Sequence, residues 1–275
     1  MIVLITGATS GIGKSCAEFF SKKGYKTILI GRRKKRLISI SKKLKKPSLP
    51  LQLDVRDKKE VFRTISKLPK NFKKISVIIN NAGLAWGVEP AQDADLKKWE
   101  TMIDTNCKGL IYMTKAVLPD LIKRNNGHII NIGSVAGTYP YSGGNVYGGT
   151  KSFVKQFSLG LKSDLLGTKI RITNIEPGMT NTEFSKIRYS GDKKKAENHT
   201  LTSDDVEIIS PGIIPVVRTK QAVMVYYDET EIHWCADIGK GYQLINEQNR
   251  ITSPGQDEVK YLLGGVVYPT GEGLY

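Results

Sequence analysis

Cysteine is scarce in this 275-residue chain, and its three copies lie far apart. Cys16, Cys107 and Cys235 form no CxxC pair, which argues for free thiols in a reducing compartment rather than for disulfides. No apolar run reaches the roughly eighteen residues of a membrane-spanning helix, and the opening residues lack the basic and long apolar regions of a secretory signal. We therefore expect a cytoplasmic protein that has no membrane partner.

Acidic residues are too few to balance the basic ones, and the excess is uneven along the chain. The formal net charge is +16; residues 211–275 hold five basic and eight acidic residues, a net of −3, so residues 1–210 carry +19. Basic runs such as residues 42–46 alternate with apolar residues at helical spacing, so solvated helix faces are the simpler explanation. Attraction to polyanions would be non-specific, and since no zinc-finger or RNA-recognition signature is found, we expect no specific nucleic-acid partner.

A glycine-rich turn between a strand and a helix is the first sign of function. Residues 2–6 form an apolar run of strand length, residues 7–13 are Gly-Ala-Thr-Ser-Gly-Ile-Gly, and a helical pattern begins at Ile12. Glycines let the backbone approach a ligand, and a helix N-terminus offers free N–H groups and positive charge, so the turn predicts a phosphate site. A tight connection without a ligand is the alternative.

The second predicted strand, residues 27–30, indicates which cofactor the turn would hold. This strand runs into Gly31, Arg32 and Arg33. An acidic residue here would bind the ribose 2′-hydroxyl of NAD, whereas arginine pairs with the 2′-phosphate of NADP. The arginines therefore favour NADP, unless they only begin a basic helix.

Tyr147 and Lys151 stand four residues apart at the start of a predicted helix, within residues 144–157. Residues i and i+4 lie on one face of a helix. An ammonium about 4 Å from the phenol could then lower the tyrosine pKa from ~10 by ~3 units, toward neutrality. Such a tyrosine can act as an acid or a base, although the pair taken alone could also be a chance spacing.

Motifs in a fixed order carry a resemblance to a known family. The first glycines spell TGxxxGxG rather than GxGxxG. Further motifs follow in the same order: NNAG at residues 80–83, Asn106 inside a long predicted helix at residues 96–123, Ser134, and the Tyr147–Lys151 pair. In these motifs the chain resembles the short-chain dehydrogenase/reductase family. The resemblance, together with strands that alternate with helices, implies an α/β fold with a doubly wound, Rossmann-type parallel sheet.

The resemblance implies a role for each matching residue. Tyr147 would transfer the proton and Ser134 would hold the substrate oxygen, while Lys151 lowers the tyrosine pKa and binds the nicotinamide ribose. Asn106 would position a relay water. An NADP site is implied at the glycine turn and at the ends of the later strands, including a third strand predicted at residues 51–55: Gly7, Ala8, Thr9, Ser10, Gly11, Ile12, Arg32, Arg33, Asp54, Val55, Asn81, Tyr147, Lys151, Pro177, Gly178, Met179, Thr180 and Thr182.

Five longer segments narrow the resemblance to one branch of the family, the NADP-dependent 3-hydroxy acid dehydrogenases. They cover residues 80–90, 97–119, 127–137, 140–151 and 175–185. Members of that branch oxidise serine, allo-threonine and related 3-hydroxy acids, and reduce malonic semialdehyde to 3-hydroxypropionate. Such a substrate carries a carboxylate, for which Arg188, on a segment expected to cover the site as a lid, is the candidate partner beside Ser134. The resemblance also implies a homotetramer.

The resemblance stops near residue 205. Residues 201–209 begin like the family's next helix, but Pro211 and Pro215 would break it. We therefore expect a dehydrogenase domain at residues 1–210 and an atypical, β-rich segment at residues 211–275. A small β-rich appendage, a poorly ordered or recombined end, and a diverged cover that supplies a seventh strand are the three alternatives.

No metal site is predicted. His233 and Cys235 would face the same side of a strand, yet two ligands do not make a zinc site.

Two further functions compete with the oxidoreductase. The first is a catalytically silent NADP-binding protein whose C-terminal segment is an interaction module. The second, ranked last, is a basic nucleic-acid binder, whose affinity would fall steeply with salt.

Overall fold

The computed structural model describes residues 1–178, 180–189 and 191, and beyond them only strand segments between residues 201 and 269. The chain divides into two compact units, Met1–Ser203 and Asp204–Tyr275, which are described separately. The division expected after residue 210 stays a prediction, since residues 210–215 lie outside the described part.

A six-stranded parallel sheet forms the centre of the first unit. Its strands are β1 (Ile2–Thr6), β2 (Lys26–Gly31), β3 (Ser48–Gln52), β4 (Val77–Asn80), β5 (Gly127–Ile132) and β6 (Ile170–Ile175). Their order is β3-β2-β1-β4-β5-β6, so the direction of winding reverses beside β1. This is the predicted doubly wound sheet, whose ligand site lies outside the carboxyl ends of the strands.

Helices connect the strands and pack on the sheet. They are α1 (Gly11–Lys22), α2 (Lys34–Lys43), α3 (Lys58–Ser66), α4 (Leu96–Ile103), α5 (Leu110–Arg124), α6 (Asn145–Asp164) and the short α7 (Glu183–Arg188). The strands are rich in Ile, Leu and Val because helices cover them; Leu4, Ile28 and Ile129 are fully buried. Across the described residues, no helix is both long and apolar enough to cross a membrane.

Two elements differ from the sequence-based expectation. The third strand ends at Gln52 instead of running to Val55, because the chain turns at Asp54, whose carbonyl accepts from the N–H of Asp57 at 3.0 Å. The long helix predicted at residues 96–123 is divided by a π-helical turn, Asp104–Gly109, which contains Asn106. Such turns are rare and are frequent at functional sites.

A chain of buried amides joins the sheet to two helices. Asn80 at the end of β4 donates to Thr114 Oγ1 of α5 at 3.0 Å and to Asn131 Oδ1 of β5 at 2.9 Å. The Asn131 amide in turn donates to Ser158 Oγ of α6 at 2.8 Å. Because all four side chains are buried, these bonds fix the helices against the strands that carry the site.

The described strands after residue 200 are mostly antiparallel. In the first unit, β7 (Thr180–Asn181) pairs in parallel with β8 (Leu201–Thr202). In the second unit a five-stranded antiparallel sheet consists of β9 (Glu207–Ile209), β10 (Val216–Arg218), β11 (Ala222–Tyr226), β12 (Ile232–Asp237) and β13 (Tyr242–Ile245). A separate hairpin pairs β14 (Lys260–Leu263) with β15 (Val266–Pro269).

These strands bear on the expectations for the C-terminal segment. Residues 207–209 form a strand, so a helix through residue 209 was wrong there. The antiparallel pairing of β11 with β12 matches the β-rich alternative. Within the described part of the chain, the parallel sheet has six strands and receives no seventh. His233 and Cys235 lie on β12, but their side chains are outside the described residues.

The buried amide chain predicts a stability effect. Replacing Asn131 by Ala removes one buried hydrogen-bond partner from the Ser158 hydroxyl and one from the Asn80 amide. We therefore expect the free energy of unfolding to fall by about 1–3 kcal/mol. Urea unfolding of the full chain measures this loss. The exposed Asn126 provides the control, because its replacement by Ala should change stability by less than about 0.5 kcal/mol; equal losses in both variants would contradict the prediction.

Candidate active site

The glycine turn connects β1 to α1 and has the geometry of a phosphate cradle. Gly7 and Gly11 have φ of +66° and +51°, which favour glycine. A Cβ on Gly13 would lie 2.5 Å from the Gly7 carbonyl oxygen and 2.5 Å from Asn81 Nδ2, so helix, turn and β4 pack without room for a side chain. Asn81 supports the turn from below, donating to the Thr6 carbonyl at 2.9 Å.

The N-terminus of α1 keeps its positive charge. Ser10 precedes the helix with extended backbone and makes no side-chain capping bond, and the first turn contains no acidic residue. The N–H groups at Gly11 and Ile12 therefore face the turn where a pyrophosphate would be stabilised. Residues 7–12, all predicted to bind the cofactor, thus fit a dinucleotide.

Arg33 joins this turn to the end of β2. Its guanidinium donates to Thr9 Oγ1 at 2.6 and 3.0 Å and to Ser10 Oγ at 2.8 Å. Gly31 leaves room for that arrangement, because a Cβ there would lie 2.8 Å from Thr9 Cγ2. The same arginine also donates to Glu183 Oε2 at 2.6 Å.

Sequence reasoning missed Arg36 and Glu183 at this point. Arg36 donates to both oxygens of Glu183, at 2.6 and 2.7 Å. Arg36 could have been predicted, because it follows Arg33 by about one helical turn. No sequence pattern pointed to Glu183, because it lies 150 residues from Arg33 in the chain.

Asp54 and Val55 lie beyond the end of β3. Val55 is buried, and a Cβ on Gly109 of the π-helical turn would lie 2.6 Å from its side chain. Asp54 forms an ion pair with Arg56 at 2.6 Å. Partial burial raises the pKa of Asp54, but the hydrogen bonds and charge of Arg56 and the charge of Arg32 hold it below its usual value. Asp54 is thus an ionised acceptor at neutral pH.

Ser134 and Tyr147 meet beside the carboxyl end of β5. Ser134 begins a 3₁₀ turn, Val135–Gly137, and its hydroxyl accepts from the N–H of Ala136 at 3.2 Å. Tyr147 lies in the first turn of α6, where burial raises the pKa of its phenol and the nearby Ser134 side chain partly opposes that shift. Both are buried. The two hydroxyls can therefore contact one substrate oxygen, as the motif order predicts.

Lys151 and Asn106 lie behind this pair. The Lys151 ammonium donates to the carbonyl of Ile132 at 2.7 Å. A Cβ on Gly83 would lie 3.7 Å from Lys151 Nζ and 3.2 Å from Asn106 Oδ1, so the glycine of NNAG makes room for both groups. The four predicted catalytic side chains thus occupy one region, and their roles stay predictions.

The Asn106 side chain is already bonded on both sides. Its Oδ1 accepts from the N–H of Leu84 at 2.9 Å, and its Nδ2 donates to the Leu84 carbonyl at 2.9 Å and to Thr150 Oγ1 at 3.0 Å. These bonds hold the loop after β4 against the π-helical turn. The position of a relay water remains a prediction.

The pKa values correct the sequence-based argument. Burial raises the pKa of Tyr147 to about 12, although the nearby Ser134 side chain opposes the shift. The expected fall toward neutrality fails because the Lys151 ammonium points to Ile132 and lies 5.8 Å from the centre of the tyrosine ring. Burial also lowers the pKa of Lys151 to about 8. Helical spacing fixed the face of the lysine but not the direction of its ammonium.

A cluster of apolar side chains surrounds the tyrosine. Tyr147 packs with Leu84, Ala85 and Met102, and its ring centre lies 5.7 Å from that of Phe184 in α7. Apolar side chains around the tyrosine exclude water, and they favour a small substrate.

Arg188, the last residue of α7, lies at the edge of this cluster, against which Tyr141 packs. Its guanidinium stacks on Tyr141 at 4.7 Å from the ring centre. The buried Nε finds no hydrogen-bond partner among the described residues. Since an unpaired buried donor is costly, this nitrogen is suited to a ligand acceptor.

The segment after β6 lies over the glycine turn. The Pro177 carbonyl accepts from the N–H of Val135 at 3.3 Å, and Thr180 Oγ1 donates to the Gly178 carbonyl at 3.2 Å. Thr182 caps α7, and a Cβ on Gly11 would lie 3.2 Å from its side chain. Of these predicted cofactor residues, Thr182 thus lies against the cradle and Pro177 contacts the turn after Ser134, whereas Met179 lies outside the described residues.

Comparisons with known proteins match the same part of the chain. A family model described as short chain dehydrogenase matches residues 1–193. The chain is 54% identical over 212 residues to an NADP-dependent 3-hydroxy acid dehydrogenase of Salmonella typhi, covering 75% of this chain and 86% of the relative. It is 47% identical over 209 residues to a serine 3-dehydrogenase of Rhizobium radiobacter, covering 74% and 84%.

A solved structure agrees with these relatives. The closed form of a serine dehydrogenase complexed with NADP⁺ aligns with a TM-score of 0.73 and 51% identity, over 75% of this chain and 86% of that one.

The buried lysine predicts a pH dependence of stability. Since the folded pKa of Lys151 is about 8 and an unfolded lysine titrates near ~10.4, the unfolded state binds more protons between these values and stability rises with pH there. The free energy of unfolding of the wild type, relative to that of Lys151→Met, should therefore rise by about 2 kcal/mol from about pH 7.5 to about pH 10. Urea unfolding at both pH values measures it.

Lys162 on the same helix is exposed and provides the control. Lys162→Met should follow the wild-type pH profile. A constant difference between wild type and Lys151→Met across this window would contradict the burial argument.

Proposed function

This chain belongs to the short-chain dehydrogenase family, and on that premise we propose that it transfers a hydride between NADP(H) and a small 3-hydroxy acid or the matching 3-oxo acid. The observation that supports this proposal best is that Ser134 and Tyr147 are buried next to each other beside the glycine cradle, with Lys151 behind them. Hydroxyls at the carboxyl ends of the strands then face the place where a nicotinamide would lie.

The cofactor site is proposed from residues that fit a dinucleotide phosphate. The N-terminus of α1 would hold the pyrophosphate, and Arg32, Arg33 and Arg36 would surround the 2′-phosphate that distinguishes NADP from NAD. Asp54 and Val55 would contact the adenine. Bound NADPH would supply the hydride, and NADP⁺ would accept it.

Tyr147 is proposed as the acid of the reduction. With a pKa of about 12 the phenol is protonated at neutral pH, so it can donate to the carbonyl oxygen of a 3-oxo acid as negative charge develops there. Ser134 would donate to the same oxygen and hold it in place. Lys151 would bind the nicotinamide ribose, and Asn106 would help a water to reprotonate the tyrosine.

Arg188 is proposed to bind the substrate carboxylate. Its guanidinium lies at the edge of the apolar cluster that contains Tyr147, and its buried Nε lacks a described partner. A guanidinium binds a carboxylate through two parallel hydrogen bonds, which fixes orientation as well as affinity. Serine, allo-threonine and the malonic semialdehyde/3-hydroxypropionate pair all place a carboxylate near the reacting carbon.

The cytoplasm is proposed as the compartment, and a homotetramer as the assembly. The free thiols of the described cysteines Cys16 and Cys107 support the first proposal. Leu159 on α6 is 53% exposed, which supports an apolar contact between subunits at this helix. The mass of the particle in solution tests the assembly.

A silent NADP-binding protein is the second candidate. The second unit favours this candidate. The match to the relative covers only 75% of the chain, and the five-stranded antiparallel sheet belongs to the C-terminal unit. Consumption of NADPH with malonic semialdehyde distinguishes the two: binding of NADPH without turnover would favour the silent protein.

The proposed proton donor gives a direct test. Tyr147→Phe should lower kcat by about 10²–10⁴-fold, because a positioned acid contributes that much, while the Kd for NADPH stays within about twofold. Steady-state kinetics and fluorescence titration with NADPH measure the two quantities. Tyr112→Phe on α5 is the control and should keep wild-type kcat; near-normal turnover of Tyr147→Phe would refute the assignment.

The proposed carboxylate site gives a second test. Arg188→Leu should raise KM for serine by roughly tenfold or more, since a charge-assisted pair is worth about 1.5–3 kcal/mol, and should raise KM for an uncharged alcohol much less. The exposed Arg63 on α3 is the control, and Arg63→Leu should change neither value. Equal effects of Arg188→Leu on both substrates would count against the assignment.

A further inference from the structure

One carboxylate joins two of the three arginines of the proposed 2′-phosphate site, Arg33 and Arg36. Glu183 accepts from Arg33 at 2.6 Å and from Arg36 at 2.6 and 2.7 Å. It is the first residue of α7 and lies next to Thr182, which contacts the glycine turn at Gly11. The contact therefore brings the segment after β6 onto the arginines that follow β2.

The surroundings of this carboxylate are those of an anion site. Arg33 is held in place by Thr9 Oγ1 and Ser10 Oγ, so its guanidinium is already oriented toward a ligand. Partial burial would raise the pKa of Glu183, but hydrogen bonds and charge from Arg33 and Arg36 hold it below its usual value. Glu183 is therefore an anion bound where two arginines meet.

A phosphate would compete for the same donors. The three side chains are partly solvent-accessible, with exposed fractions of 41% for Arg33, 48% for Arg36 and 39% for Glu183, so the ion pairs can open without unfolding. An exposed ion pair contributes little free energy, whereas a phosphate carries more charge and three acceptor oxygens. A phosphate ester can thus displace the carboxylate. It can bind both arginines only after Glu183 has left them.

We propose that Glu183 is a built-in competitor for the 2′-phosphate of the cofactor, and that it thereby sets how strongly the protein prefers NADP to NAD. The inference rests on the proposed use of NADP. The adenine ribose of NAD carries a hydroxyl instead of the phosphate, so NAD binds without displacing Glu183 from both arginines. The affinity for NAD is therefore insensitive to the charge of Glu183.

Titration calorimetry on the full chain tests this inference without a catalytic readout. Glu183→Gln keeps the shape of the side chain and removes its charge, so the Kd for NADP⁺ should fall by roughly threefold to tenfold, the range expected for a small ion-pair network. The Kd for NAD⁺ should change by less than about twofold. Adenosine 2′-monophosphate should bind more tightly to the variant, whereas adenosine 5′-monophosphate should not.

Asp120 on α5 provides the matched control, because it also pairs with an arginine, Arg124, and is partly exposed. Asp120→Asn should leave all four Kd values unchanged. An unchanged or larger Kd for NADP⁺ in Glu183→Gln overturns the inference, and so does an equal fall for NADP⁺ and NAD⁺. A wild type that does not prefer NADP⁺ would refute the proposed cofactor as well as the inference. A wild type that prefers NADP⁺, with no fall in Kd in Glu183→Gln, would refute the inference alone.

Discussion

The ammonium of Lys151 donates to the carbonyl of Ile132, the last residue of β5, and this bond joins α6 to the central sheet at the site itself. Because Lys151 is buried, its charge depends on that carbonyl and cannot move to solvent without opening the core. Tyr147, one turn earlier on α6, is thereby brought beside Ser134, which directly follows the same strand. The proposed proton donor and the serine thus owe their proximity to one buried charge.

A single short segment contacts each part of the site. Within residues 182–188, the Thr182 side chain lies over the glycine turn, Glu183 binds the two arginines, Phe184 packs on Tyr147, and Arg188 stacks on Tyr141. Its partners come from three separate stretches of sequence. The proposed phosphate site and the proposed substrate site therefore share the residues of one short helix.

The sequence predicted best what depends on local pattern. The run at residues 2–6 became β1 at those bounds, because buried parallel strands require continuous apolar residues. Residues 51–55 look equally strand-like, yet the chain leaves the sheet after Gln52, since a turn at Asp54 and the cap of α3 compete for the same residues. The direction of the Lys151 ammonium and the pairing of Glu183 with Arg33 could not be predicted, because both depend on partners distant in sequence.

Gly31 and Thr9 impose a limit on how the cofactor preference of this protein could evolve. A Cβ at position 31 would meet the Thr9 methyl group at 2.8 Å, and the hydroxyl of that threonine also orients Arg33. Any side chain gained at position 31 therefore displaces the residue that orients the arginine, and disturbs the phosphate turn to which Thr9 belongs. A lineage that gained a side chain at position 31 would therefore also have to change or move Thr9, so the two positions are coupled.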